Sequence, residues 1–487
     1  MKANNGEITE GLASILPIET NEVFYNPVQV VNRDLSVLLI SVYSKCVSQA
    51  ASPLEVLEGL AASGLRSIRY AKELKFGDFN LTANDIEAVA VERIRKNMAH
   101  NGLSSDSIRV DNADAIALMQ SNKARYSVID LDPYGSCSIF LDSAISSVKP
   151  NGLLCITSTD GGVLCGNQPD LALMRYGGFA LKKNFAHEMG LRVLLHAVSS
   201  AAARQKRGVK VLASFSIDFY FRVFVQVIDS GEEALKAMEK CGIIFSCINC
   251  EYHINQPFCR IDGHNRKPAR TTIPSSVCPE CDSALALGGP MYTGALCDEK
   301  FVDACLDIIE DEQSMFPGIT SWTKLKGLLF GIKSELACAT PLFYTVPGLT
   351  RSVRVSPPKL QSFYYWLNQL GYKVCGSHRT PNAIKTNAPS SVVFDLLRIY
   401  CSNINITTQS SGTGEDEIRS KILNKAITMK IPEEMKIDFT VKFDFDCDTK
   451  KSKAKIPIYI PNPTPFCGPK PRAATDSNKR HKPLESE

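Results

Sequence analysis

The chain has 487 residues, 44% hydrophobic and 22% charged, which is apolar enough for two or three packed domains and excludes a disordered protein. A formal net charge of +4 excludes an all-over polyanion binder, so a nucleic acid would have to meet a local basic patch. No apolar run reaches the roughly 18 residues of a membrane span and no secretory signal pattern opens the chain, so the expectation is a soluble intracellular protein whose 17 cysteines are reduced thiols and metal ligands.

Glu7 to Ile15 alternates weakly and is expected to form a small strand pair. The turn Asn21-Glu22-Val23-Phe24-Tyr25-Asn26-Pro27 leads into Asn32-Arg33-Asp34 and an apolar helix from Leu35 to about Cys46. These residues make either a capped helix with core aromatics or a lid in which Phe24 and Arg33 reach over a ligand.

Leu54 to Leu60 reads as a buried strand, followed by the small-residue turn Ala61-Ala62-Ser63-Gly64-Leu65-Arg66 and a helix to about Leu74. Small residues between a strand and a helix let a ligand approach backbone amides, although the single Gly64 falls short of a dinucleotide fingerprint. A second strand, Phe79 to Ala83, ends in Asn84-Asp85, where an acid for ribose hydroxyls belongs. A helix from about Glu87 to His100 and a strand near Ile108 to Val110 lead to Asp114-Ala115, an acid for an adenine amine or a helix cap.

The fourth strand, Tyr126 to Ile129, closes on Asp130-Leu131-Asp132-Pro133-Tyr134-Gly135. The turn places Asp132 at the carboxyl edge of the sheet, where open α/β sheets bind ligands. Asp132 and nearby carbonyls suit an exocyclic amine, with Tyr134 stacked on its ring. The same triplet could be an ordinary turn with Asp132 capping a helix from Ile139 to Val148. A strand from Leu153 to Thr157, a loop from Asp160 to Pro169 and a helix from about Leu181 to Arg204 follow. The apolar runs Val209 to Ile217 and Phe219 to Val227 lie too close for a crossover and are expected to pair antiparallel.

Two C-x-x-C knuckles, Cys247/Cys250 and Cys278/Cys281, are expected to supply the four thiolates of a closed structural Zn²⁺ site, the other reading being unrelated cysteines, with Cys259 as the nearby competitor. Trp322 to Leu336 reads as helical, and Leu360 to Leu370 as a helix with an aromatic stripe. Arg354, Lys359, Arg379 and Lys385 form either a phosphate-facing patch or unrelated surface charges. Gln409 to Glu417 and Asp448 to Lys455 are polar runs expected to bracket an exposed insertion, and the basic tail after Lys470 is an RNA contact, a nuclear signal or solvated chain.

Taken together, Asn21 to Pro27, Asn32-Arg33-Asp34, Ser63 to Ser67, Asn84-Asp85-Ile86, Asp130 to Ser136 and Asp218-Phe219-Tyr220 resemble the tRNA guanine-26 N2-methyltransferase family. The cysteine knuckles with Gly288-Gly289-Pro290, Lys385-Thr386 with Ala388-Pro389, and Gly468-Pro469-Lys470 extend the likeness over nearly the whole chain.

The resemblance implies a doubly wound α/β S-adenosylmethionine-dependent methyltransferase sheet ending in an antiparallel hairpin (1–229), then an α+β tRNA-binding domain (230–470). That second domain would carry a zinc module at about 245–290 and the insertion at about 405–456, with a basic tail at 471–487. It further implies that Arg33, Arg66, Asp85, Asp114 and Ala115 contact S-adenosylmethionine, and that Asp132 holds the guanine amine between Phe24 and Tyr134. Cys247, Cys250, Cys278 and Cys281 would bind zinc in a monomer, in the nucleus with cytoplasmic or mitochondrial pools. Cys137 and Phe466-Cys467 depart from the family pattern beside the acid and before Gly468. The rivals are an amino-methyltransferase on another nucleic acid or protein, and a non-catalytic tRNA-binding paralogue.

Overall fold

The computed structural model describes residues 7–17, 25–47, 53–263, 265–273, 275–338, 340–406, 414–432 and 435–439. A hairpin of β1 (Ile8–Glu10) and β2 (Ala13–Ile15) precedes α1 (Val30–Val47). The central sheet is then laid down as β3 (Leu54–Glu58), α2 (Leu65–Glu73), β4 (Phe79–Asp85), α3 (Ala88–His100), β5 (Ile108–Asn112), α4 (Ala115–Ser121) and β6 (Tyr126–Leu131). It continues with α5 (Leu141–Ser147), β7 (Val148–Ser158), α6 (Gly161–Leu164), α7 (Pro169–Tyr176), α8 (Ala186–Arg204), β8 (Gly208–Ile217) and β9 (Tyr220–Ile228).

The seven strands stand in the order β5-β4-β3-β6-β7-β9-β8. The first five are parallel, and β9 runs antiparallel to both β7 and β8, as the two closely spaced apolar runs demand. Strand order reverses between β3 and β6, and a ligand crevice opens beyond the strand ends at such a reversal. Successive side chains leave opposite faces, so Val128 and Cys155 join a core built with α1, α2 and α3, while Ile129 and Ile156 join one built with α4, α5 and α8.

Beyond β9 come α9 (Gly231–Leu235), a sheet of β10 (Cys241–Cys247), β11 (His253–Pro257) and β14 (Leu285–Tyr292), and a ribbon of β12 (Cys259–Asp262) and β13 (Asn265–Pro268). Two later helices, α10 (Glu299–Asp311) and α11 (Trp322–Ser334), bury Phe301, Val302, Leu325 and Leu328 in the core that holds α1. A third core gathers the four knuckle cysteines with Phe363, Trp366, Leu397 and Phe394.

Several expectations need correction. The loop after Asp160 contains α6, and the helix expected from Leu181 begins at Ala186. The strand expected from Leu153 begins at Val148, and the pairing of β7 with β6 shifts register between Tyr126 and Val128. Lys385 is no phosphate-facing residue: it is buried, 2.8 Å from Glu188 Oε1 and 2.8 Å from Glu335 Oε2. Arg354 pairs with Asp416, and Arg379 donates to the Asp218 carbonyl. Phe363 and Trp366 of the aromatic stripe are core. Within the expected insertion, a helix spans Gly414–Leu423, and Ile422, Ile437 and Phe439 are buried in the third core because their apolar side chains close it. The rest of that insertion and the tail after Lys470 lie outside the described residues.

Candidate active site

The reversal between β3 and β6 carries a cleft of about 360 Å³, lined among others by Tyr25, Arg33, Glu58, Ala61, Ala62, Ser63, Arg66, Asp85, Asp132, Pro133 and Tyr134. The floor is the turn between β3 and α2. Gly64 takes φ +75°, a left-handed conformation that glycine reaches without cost, and a Cβ there would stand 3.0 Å from the Ile94 side chain. Asp85, at the end of β4, accepts hydrogen bonds from the Ala62 amide (2.8 Å) and the Glu87 amide (3.0 Å), which fixes the acid beside that turn.

On the far side, Asp132 follows β6 directly. Its Oδ2 is ion-paired with Arg66 and accepts from Asn32 Nδ2 at 3.3 Å, whereas its Oδ1 has no hydrogen-bond partner among the described residues. The Gly135 amide donates to Thr159 Oγ1 (2.7 Å) and the Thr159 amide to the Gly135 carbonyl (3.0 Å), tying the acid-bearing turn to the end of β7. Asp132 therefore does not cap the following helix, whose N-terminus has no side-chain cap. Tyr134 is half exposed at the rim, with Ile139 and Ile86 also exposed there.

Beneath the cleft lies a buried ionic lattice. Arg222, from β9, chelates Asp130 at 3.0 and 2.7 Å, and Tyr70 donates to Asp130 Oδ2 at 2.5 Å. Ser36 Oγ accepts from both Arg66 and Arg222 at 2.8 Å, and Arg66 Nε stands 3.6 Å from Glu58. Burial pushes the Asp130 carboxyl up, but the guanidiniums of Arg222 and Arg66 outweigh it and hold the group below the usual carboxylate range. Removing one partner of such a buried pair costs about 3–5 kcal/mol, so the lattice fixes Arg66 and through it Asp132.

Glu58 behaves differently. Burial pushes its carboxyl up to about 8 against the pull of Arg66 and the Ser67 hydroxyl. The unfolded chain ionises this group in the ordinary carboxylate range, so the folded protein holds a proton the unfolded chain has released, and stability falls as pH rises towards 8. Glu58→Gln is expected to flatten that decline, its melting temperature dropping less between about pH 5 and pH 8 than that of the wild type in thermal scans.

Of the residues expected from sequence, Arg33, Arg66, Asp85, Asp132 and Tyr134 come together around one cleft. The Arg33 guanidinium there donates through Nε and Nη2 to the two carboxylate oxygens of Glu10, each at 2.6 Å, and lies over the Tyr25 ring. Asp114 and Ala115 are not among the lining residues; Asp114 caps α4 through the Ile116 amide at 2.8 Å. Phe24 lies outside the described residues. Asn32 and Asp130 entered the sequence reading only as members of motifs, without a role, and Glu58 and Arg222 not at all, yet an arginine inside the apolar run of β9 is the signal of a buried acidic partner.

Away from the cleft, the Sγ atoms of Cys247, Cys250, Cys278 and Cys281 are buried and all lie within 4.8 Å of one another. Backbone amides of Asn249, Cys250 and Glu280 approach the sulfurs at 3.4 Å, as knuckle turns do around thiolates. Cys259 stands apart on β12, its thiol directed to the Arg260 carbonyl.

The model of a family described as N2,N2-dimethylguanosine tRNA methyltransferase matches residues 6–398. The chain is 35% identical to a tRNA (guanine(26)-N(2))-dimethyltransferase of Schizosaccharomyces pombe over 96% of its own length and 93% of the relative's. It is 32% identical to the mouse protein of that name over 96% and 76% of the respective lengths. Among solved structures it is similar to Trm1 from Pyrococcus horikoshii in complex with S-adenosyl-L-methionine, with a TM-score of 0.66, 29% identity, and coverage of 79% of this chain and 97% of that one. A cleft edged by an acid, where the order of a parallel sheet reverses, and similarity to these relatives over nearly the whole chain agree: the chain belongs to the N2,N2-dimethylguanosine tRNA methyltransferase family.

Proposed function

We propose that the chain methylates the exocyclic N2 of guanine 26 in tRNA, giving N2-methyl- and N2,N2-dimethylguanosine, with S-adenosylmethionine as methyl donor. The observation that carries the reading is Asp132, one carboxylate oxygen locked by Arg66 and Asn32 and the other without a protein partner among the described residues, at the edge of the cleft. The guanine amine is a poor nucleophile because its lone pair is conjugated with the ring. A hydrogen bond from N–H to Asp132 localises that pair, the Pro133 carbonyl offers a second acceptor, and Tyr134 supplies a ring for stacking.

S-Adenosylmethionine, when bound, supplies an electrophilic methyl on its sulfonium. The cleft beside the small-residue turn at the start of α2 would hold it, with Asp85, which lines that cleft, as the acceptor for ribose hydroxyls. Arg33 and Arg66 also line the cleft.

Residues 1–229 form the catalytic domain and residues 230–470 the tRNA-holding one, with α10 and α11 fastening the second to the first. The four cysteines bind a structural Zn²⁺: four thiolates at about 2.3 Å from one ion stand about 3.8 Å apart, which the spacing of these sulfurs fits, and a full shell has no open position for catalysis.

Transfer of labelled methyl to an unmodified tRNA transcript tests the reading, with a second transcript carrying adenine at position 26. Label in the first alone is expected. Equal labelling of both would assign another target, and no label in either, with the donor bound, would assign another amine or a tRNA-binding role.

A further inference from the structure

Two donors from different helices meet on one oxygen of Asp132. Arg66 comes from α2 and Asn32 from α1, and both reach Oδ2. Asn32 is wholly buried and does not line the cleft, so it touches neither base nor donor. Its Nδ2 is shared between Asp132 Oδ2 (3.3 Å) and Thr157 Oγ1 (3.4 Å), which joins the acid to β7 as well as to α1. The opposite amide orientation would aim a carbonyl oxygen at a carboxylate, which is repulsive, so the contact itself fixes which way the side chain points.

The other end of the amide is informative. Asn32 Oδ1 is buried and has no hydrogen-bond partner among the described residues. An unpaired buried acceptor opposes folding, and an apolar side chain would fill the space without that cost. What the fold gains from an amide here is its donor, and that donor serves Asp132.

We propose that Asn32 is a positioning residue for the methyl transfer, holding Asp132 Oδ2 so that Oδ1 stays turned to the guanine amine. Arg66 alone leaves the carboxylate free to rotate about the ion pair. Asn32 supplies the second fixed point. This inference rests on the proposed function and deepens it.

Three variants test it in the full-length protein. Asn32→Ala removes the donor. Asn32→Asp keeps the shape and sets a second carboxylate against Asp132, in surroundings that already hold Arg66 from α2, Glu58 from β3, Asp130 from β6 and, behind it, Arg222 from β9. Asp132→Asn reports on the underlying reading. Single-turnover methyl transfer to a tRNA transcript is measured across pH, with S-adenosylmethionine binding followed by calorimetry.

Asn32→Ala is expected to lower kcat about 10–100-fold, with KM for tRNA and donor affinity within about twofold of wild type, because a misplaced acid is felt in the transition state. Asn32→Asp is expected to lower the rate at neutral pH and to move the acid limb of the profile upward by about one pH unit or more, with recovery in alkali, since two facing carboxylates ionise together less readily than one alone. If Asn32→Ala does not fold, the isosteric Asn32→Asp profile decides. Wild-type kcat and an unshifted profile in Asn32→Asp, with Asp132→Asn inactive, overturn the role of Asn32 alone. Full activity in Asp132→Asn overturns the reading beneath it.

Discussion

Asp132→Asn is expected to lower methyl transfer by about 10³-fold or more while S-adenosylmethionine still binds. The substitution preserves volume, but Arg66 and Asn32 both donate to the Oδ2 position and hold the amide carbonyl there, which leaves an NH2 that cannot accept from the guanine N–H at the other position. Arg66 loses one partner yet keeps Asp130 at 3.7 Å, Glu58 at 3.6 Å and Ser36, so the wall of the donor site stays in place. Rates from single-turnover assays and affinities from calorimetry separate the two effects. A variant that lost donor binding and rate in proportion would make Asp132 part of the donor site instead.

Cys278→Ser is expected to abolish zinc binding at the proposed four-cysteine site and to open the third core. The four sulfurs are themselves members of that core, packed with Tyr252, Tyr344 and Phe394. Without an ion, thiolates brought this close repel one another, and binding of structural zinc is folding free energy. The wild-type protein is expected to hold one zinc per chain by atomic emission. The variant is expected to hold none and to melt lower by about 5 °C or more, with donor binding near the wild-type value, since the cleft lies in the other cores. Metal-free wild-type protein with an unchanged melting temperature would remove zinc from the account.

The parallel sheet was legible because its strands end in chemistry. Asp85, Asp114 and Asp132 each follow an apolar run at a point where the turn is short, and the hairpin β8–β9 is forced by the lack of any crossover between its strands. Local pattern also marked the knuckles. It could not reveal pairings that span the chain. Lys385 meets Glu188 at 2.8 Å across 197 residues, and a lysine amid polar neighbours reads as surface until that carboxylate is seen. The same limit hid Arg222 and Asp130, 92 residues apart, and Asn32 and Asp132, 100 apart. In β7, the turn-like Pro150-Asn151-Gly152 is carried within the strand where its register with β6 shifts, and Asn151 supplies the positive φ of 60°. Gly/Asn/Pro chemistry signals a bend, and here the bend lies inside a strand.

The most direct test of the central claim is the identity of the methylated atom. An unmodified tRNA transcript incubated with the protein and S-adenosylmethionine, then digested and resolved by mass spectrometry against nucleoside standards, is expected to yield N2-methylguanosine followed by N2,N2-dimethylguanosine. Methyl groups on a guanine ring nitrogen, or on another base, would contradict an amine held by Asp132 in this cleft.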